Sequence, residues 1–235
     1  MLIASFTSPL GRRGLFGKTF HWTILPLIWC FISFDLCASL VAAASGETPE
    51  HRASQWQAND PYNYSPERNT QRYALATFYF ATKGETWTRS DGWLDYEVDE
   101  CSWYSRSKQV CNNEGIYVET DLRFNGLSGT LPTQIALLTG LQKFEVGGNS
   151  IHGRIPSELG LFSDLTYFNV ASNNINGTIP TTLGLLSNVT QLGVHDNQLS
   201  GTVPEETSQL TWLEYLKLSD NMLSGKFIMK PFRNV

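Results

Sequence analysis

Apolar and polar residues alternate in short bursts along the second half of the chain. Phe144 and Val146, Phe168 and Val170, Leu192 and Val194, and Leu216 and Leu218 form pairs with a single residue between them. Period-two pairs of this kind predict short strands with one face turned inward. Three positions after each pair comes an asparagine, and Asn125, Asn149, Asn173, Asn197 and Asn221 stand 24 residues apart. There the chain must leave the sheet and its backbone groups lose their ladder partners. A column of carboxamides, each with donors and an acceptor, is suited to satisfy them. Gly129, Gly153, Gly177, Gly201 and Gly225 then suit a tight bend, and Pro132, Pro156, Pro180 and Pro204 end a short extended segment. The returning arm carries Ile135 and Leu138, Leu159 and Phe162, Leu183 and Leu186, and Leu210, all expected inside. One strand per unit predicts an α/β solenoid with a parallel sheet. At about 1.5 to 3 kcal/mol per buried large aliphatic side chain, stacked units share a core that none could hold alone.

Upstream the period changes. Tyr73, Ala76 and Phe80, with Ala74, Phe78 and Ala81, recur at helical spacing, which predicts a helix over Gln71–Lys83 ended by Gly84. Trp87, Trp93 and Trp103 supply apolar surface to seal the open end of the first repeat. The preceding stretch, residues 45–70, is polar and rich in turn formers, and reads as an irregular lead-in. Its Trp56 either docks on the cap or stays in the lead-in. At the amino terminus Arg12, Arg13 and Lys18 precede an apolar run from Trp22 to Phe34, and Ala42-Ala43-Ala44 follows. Residues 1–44 read as a signal peptide cleaved near Ala44, with an uncleaved signal anchor as the alternative. Either route leaves the repeats on the lumenal or extracellular side. The sequons at Asn63, Asn176 and Asn188 fit that side, although Pro66 makes Asn63 a poor acceptor.

The units LQKFEVGGNSIHGRIP, LTYFNVASNNINGTIP and VTQLGVHDNQLSGTVP follow the pattern L-x-x-N-x-L-S-G-x-I-P. This pattern resembles the plant-type leucine-rich repeat of receptor-like kinases, receptor-like proteins, polygalacturonase inhibitors and many proteins of diatoms and other algae. RYALATFYFATKGETW, DGWLDYEVDECSW and Cys111 resemble the amino-terminal cap of algal and bacterial members. The resemblance implies a right-handed superhelix with a parallel concave sheet, five 24-residue repeats over 116–235 and a helical cap over 71–115. It also implies binding rather than catalysis, and no cofactor. Cys30 and Cys37 lie in the apolar amino-terminal stretch, while Cys101 and Cys111 flank a cap loop and suggest a disulfide. The resemblance points the same way, and closing a loop of that order contributes about 3 kcal/mol. No His or second Cys pair stands at metal-ligand spacing. One departure is the last unit, where Lys226-Phe227-Ile228 replaces x-Ile-Pro and the paired cysteines of a carboxy-terminal cap are missing. Either Phe227, Ile228, Met229 and Phe232 fold back as a lid, or another subunit covers the end, or the array continues in a longer protein.

Charge narrows the partners. The chain has formal net charge −5, and without residues 1–44 it carries 14 basic against 21 acidic residues, net −7. With no basic stripe it is a poor match for nucleic acid. The side chains between and just after the buried strand positions line the concave face. Lys143, Glu145, Tyr167, Asn169, Gln191, His195, Tyr215 and Lys217 are the candidate ligand-binding residues, offering aromatic and charged anchors. His195, Asp196 and Asp220 lack a nucleophile and a third converging ligand, so they read as a solvated cluster rather than a catalytic or metal site. The expected function is extracellular or lumenal recognition of a peptide, protein or saccharide. The alternatives are an anchored receptor-like ectodomain acting through a co-receptor, an adhesive cell-covering component, and an ice-binding surface. For the last, Thr130, Thr178 and Thr202 begin a column that Arg154 and Lys226 interrupt.

Overall fold

The structure is a computed structural model and describes residues 47–225. The leader 1–44, with Cys30 and Cys37, and the expected lid from Phe227 to Phe232 lie outside the described residues. Strands β1 (Glu119–Asp121), β3 (Lys143–Glu145), β5 (Tyr167–Asn169), β7 (Gln191–Gly193) and β9 (Tyr215–Lys217) form one parallel sheet in chain order. Strands β2 (Ser128–Thr130), β4 (Ser150–Gly153), β6 (Asn174–Gly177), β8 (Gln198–Thr202) and β10 (Met222–Ser224) form a second. The sequence marked this second stretch only as extended. Five such stretches at one register satisfy each other's backbone groups, so they pair into a sheet. Each returning arm is a short 3₁₀ helix, at Thr133–Leu137, Ser157–Leu161, Thr181–Leu185 and Glu205–Gln209, entered through an extended proline. In one coil Phe144, Val146, Ile151, Leu159, Phe162 and Leu165 are each at most 1% exposed. Adjacent coils touch so closely that a Cβ on Gly160 would stand 2.2 Å from the Thr182 carbonyl oxygen.

The asparagines form the expected ladder. Asn149 Oδ1 accepts the N–H groups of Asn125 and Leu127 at 2.9 and 3.1 Å, while its Nδ2 donates to the carbonyls of Leu122 and Val146. Asn173, Asn197 and Asn221 repeat the pattern one coil further each time. The first rung reaches the cap, where Asn125 Oδ1 accepts from Arg89 N–H and Nδ2 donates to Arg89 O.

The cap begins earlier than the sequence predicts, and the lead-in is largely helical. Helix α1 spans Pro49–Ala58, with Thr48 Oγ1 accepting from His51 N–H, proline in the first turn and Glu50 beside it. These are ordinary helix-start signals, masked by the polar composition around them. Tertiary contacts then hold α1 in place. Trp56 Nε1 donates to Leu94 O at 2.9 Å, and its ring stacks on Tyr96 at 5.3 Å. Helix α2 spans Pro66–Ala81 rather than Gln71–Lys83, because Ser65 caps it, with Pro66 and Glu67 in its first turn. Lys83 lies beyond its end in a left-handed conformation, φ 55°. Arg72, 0% exposed, bridges Asp60 at 3.0 Å and Glu100 at 2.8 Å, and Arg68 joins Glu100 at 2.9 Å. Trp87, Trp93 and Trp103 are buried in mutual contact, as expected of a cap core. The Cys101–Cys111 disulfide is present, with Cα atoms 5.3 Å apart.

Candidate ligand-binding face

Strand pairing lines up the predicted columns. Glu119, Lys143, Tyr167, Gln191 and Tyr215 are successive partners, as are Asp121, Glu145, Asn169, Gly193 and Lys217. The eight candidate residues therefore share one sheet, but the two ends of that sheet are chemically unlike. At the upstream end most polar side chains pair with one another, although Asp121 Oδ1 is buried without a hydrogen-bond partner. Asp121 is 1% exposed, and its Oδ2 meets Lys143 Nζ and Arg123 at 3.0 Å each. Glu145 is 2% exposed and accepts from Gly147 N–H at 3.1 Å, Tyr167 O–H at 2.8 Å and Asn169 Nδ2 at 3.1 Å. Burial, and after it the hydrogen bond to Glu145, pushes the Tyr167 phenol up to about 12. Asn169 Oδ1 is taken by Ala171 N–H. Lys143 is thus paired with Asp121, and Glu145, Tyr167 and Asn169 form a network of their own. These four candidates therefore already have partners within the sheet, since buried carboxylates recruit their neighbours first.

The downstream end is different. Tyr167, Asn169, Gln191, Gly193, His195, Tyr215 and Lys217 line a shallow hollow, so six of the eight candidates meet there. Gly193 makes the hollow: a Cβ at that position would stand 2.7 Å from Asn169 Oδ1. Among the described residues, the side chains of Gln191, His195, Tyr215 and Lys217 have no hydrogen-bond or ionic partner. His195 Nδ1 is buried and unpartnered. Tyr215 is 55% exposed. Phe124, 68% exposed at the upstream rim, was not among the candidates. Its place one position before Asn125 is the signal that could have found it, because Ser172, Asp196 and Asp220 occupy the same left-handed bend in other coils. The sequons lie on exposed ground at Asn63, Asn176 and Asn188. Among the described residues no group of three His, Cys, Asp or Glu could hold a metal ion, and no helix is long and apolar enough to cross a membrane.

The Leucine Rich Repeat family model matches residues 164–186. Among solved structures, the BIR2 ectodomain from Arabidopsis thaliana is 34% identical with a TM-score of 0.50, covering 53% of this chain and 65% of that one. A chain of the BIR3–SERK2 complex from the same plant is 27% identical with a TM-score of 0.50, covering 56% and 70%. The chain carries leucine-rich repeats and resembles plant leucine-rich repeat ectodomains. A plant ice-binding protein also resembles this leucine-rich repeat chain, at 27% identity and a TM-score of 0.54, covering 66% of it and 48% of the other. The chain thus spans just under two thirds of the BIR2 ectodomain and about half of the ice-binding protein. No curated protein sequence matches it.

Proposed function

We propose that this leucine-rich repeat protein is an extracellular or lumenal recognition module that binds a peptide or protein segment, or a saccharide, at the downstream half of its concave sheet. The observation that carries this reading is the contrast along the sheet. Upstream, Lys143 and Arg123 meet Asp121 and Glu145 holds Tyr167 and Asn169, whereas Gln191, His195, Tyr215 and Lys217 border a hollow with their side chains unpartnered. Aromatic and cationic groups left free beside a depression are the anchors from which binding energy is built. The similarity to receptor ectodomains, one of them in a two-protein complex, supports a protein or peptide partner and, for an anchored form, a co-receptor.

The compartment rests on the basic-then-apolar leader, the sequons and the Cys101–Cys111 disulfide, a bond that persists in oxidising surroundings. Intact mass and amino-terminal sequencing of protein from a eukaryotic secretory host test it. A start near Ser45 with one disulfide is expected, whereas a reduced, unmodified, intracellular chain overturns the reading. For the site, a ligand screen is repeated with Tyr215→Ala and with Asn174→Ala on the outer sheet. Binding lost in the first variant and kept in the second is expected. The reverse pattern moves the site to the outer sheet.

One observation favours a second reading. The outer sheet is the kind of regular surface an ice-binding protein needs, and a plant ice-binding protein is structurally similar. Against it, Arg154 interrupts the exposed column of Thr130, Thr178 and Thr202, and Asn176 places a sequon within that sheet. A thermal-hysteresis measurement on the glycosylated chain is expected to give none.

A further inference from the structure

The unpartnered groups around the hollow include one cation and no carboxylate, and this indicates what would fill it. We infer that the hollow receives a carboxylate carried by a peptide ligand, with Lys217 Nζ as its counter-ion and the His195 ring beside it. The inference deepens the concave-face reading and rests on it.

Three observations converge. The cations of the upstream half already have a carboxylate partner, since Lys143 and Arg123 both meet Asp121 at 3.0 Å. Lys217 faces the hollow with no carboxylate within ion-pair distance among the described residues, so it is the unneutralised charge of the lining. His195 lines the hollow, and its buried Nδ1 has no partner within the protein, a state that costs about 1 to 3 kcal/mol. The nearest carboxylate and the Asn169 amide oxygen, by contrast, are already engaged. Asn169 Oδ1 takes Ala171 N–H, and the Glu145 oxygens are filled by Gly147, Tyr167 and Asn169. Asp196 and Asp220 sit on the left-handed bends of the neighbouring column and are not part of the lining. A carboxylate brings only acceptors and one negative charge, which is what this lining lacks.

The rings favour a peptide over an anionic saccharide. A saccharide would use a series of open aromatic platforms. Here Tyr167 is half-buried with its hydroxyl held by Glu145, which leaves Tyr215 as the single open ring of the hollow. One ring beside one cation suits a short extended segment with an acidic residue next to an apolar one.

The test exposes the full chain, recovered from a secretory host, to an array of short end-blocked peptides with each residue type at each position, and separately to an oligouronate. Bound peptides are expected to share Asp or Glu at one position. Affinity should fall about tenfold or more in Lys217→Met. Lys217→Glu should switch that position to Lys or Arg. Lys108→Met, at an exposed cation of the cap loop, is the charge control and should change nothing. Far-ultraviolet circular dichroism confirms that each variant is folded. Failure to bind any peptide, selection with no acidic preference, an unswitched preference in Lys217→Glu, or binding of the oligouronate in place of peptides each overturns the carboxylate inference. Peptide binding indifferent to Tyr215→Ala and Lys217→Met together would remove the concave-face reading itself.

Discussion

Asn173 shows how much one side chain carries in this architecture. Its Nδ2 donates to the carbonyls of Val146, Val170 and Ala171, and its Oδ1 accepts from Ile151 N–H. Replacing it with alanine strands buried backbone groups at about 1 to 3 kcal/mol each. Asn173→Ala is therefore expected to lower the urea midpoint far more than Asn221→Ala, whose contacts lie in the more exposed last coil. The ladder was legible in the sequence because its chemistry repeats at a fixed spacing. The Glu145–Tyr167–Asn169 network was not, because nothing in a column of mixed residues says which of them will bury a carboxylate. That network also sets an alkaline signature. The folded phenol of Tyr167 sits at about 12, above its unfolded value near 10, so its share of stability is present below pH 10 and is lost as pH rises toward 12. Spectrophotometric titration of Tyr167→Phe should show one fewer phenol ionising near pH 12. An unchanged count there would show that the Tyr167 phenol is not raised.

At the scale of elements, the cap is where local and tertiary signals part company. Polar composition hid α1, yet that helix brings Trp56 onto Tyr96 and leads into Asp60, which pairs with Arg72. Deleting residues 47–60 leaves Arg72 buried with half its counter-charge, and breaking a buried pair costs about 3 to 5 kcal/mol. The shortened chain should melt well below the intact one in calorimetry, whereas a flexible lead-in could be removed without effect. Acid should attack the same place. Burial alone would raise the Glu100 carboxyl, but the hydrogen bonds from Arg68 and Arg72 outweigh it and hold the carboxyl below the usual range. A depressed carboxyl contributes its stability above the unfolded value, about pH 4.3, and loses it as pH falls through the folded value. Acid unfolding followed by tryptophan fluorescence should therefore report the cap, and Glu100→Gln should flatten that transition. Between coils, the approach of Gly160 to Thr182 leaves no room for a methyl group. Gly160→Ala is expected to destabilise by about 1 to 3 kcal/mol through overpacking.

Across the whole molecule, stability runs along one axis. Each coil contacts its neighbours, so stability is close to a sum of coil and interface contributions. Core residues of the second and third coils are almost fully covered, whereas Leu216, Leu218 and Leu223 of the last coil are only partly so. Hydrogen exchange should accordingly be slowest in β3 and β5 and fastest in β9 and β10. Uniform protection along the sheet would contradict this gradient. The concave sheet is graded along the same axis, with mutually paired side chains upstream and a hollow toward the last coils.

The sequence by itself determined the coil, the inward residues, the asparagine ladder and which side chains share a column. All of these follow from a repeat of one length, and stacking at that length leaves a single register. Only the tertiary structure decided that the extended segments pair into a second sheet, that the lead-in belongs to the cap, and which concave groups are consumed. Those outcomes depend on partners one or more coils away, and on whether a neighbouring position, such as Gly193, leaves a gap for a ligand to enter.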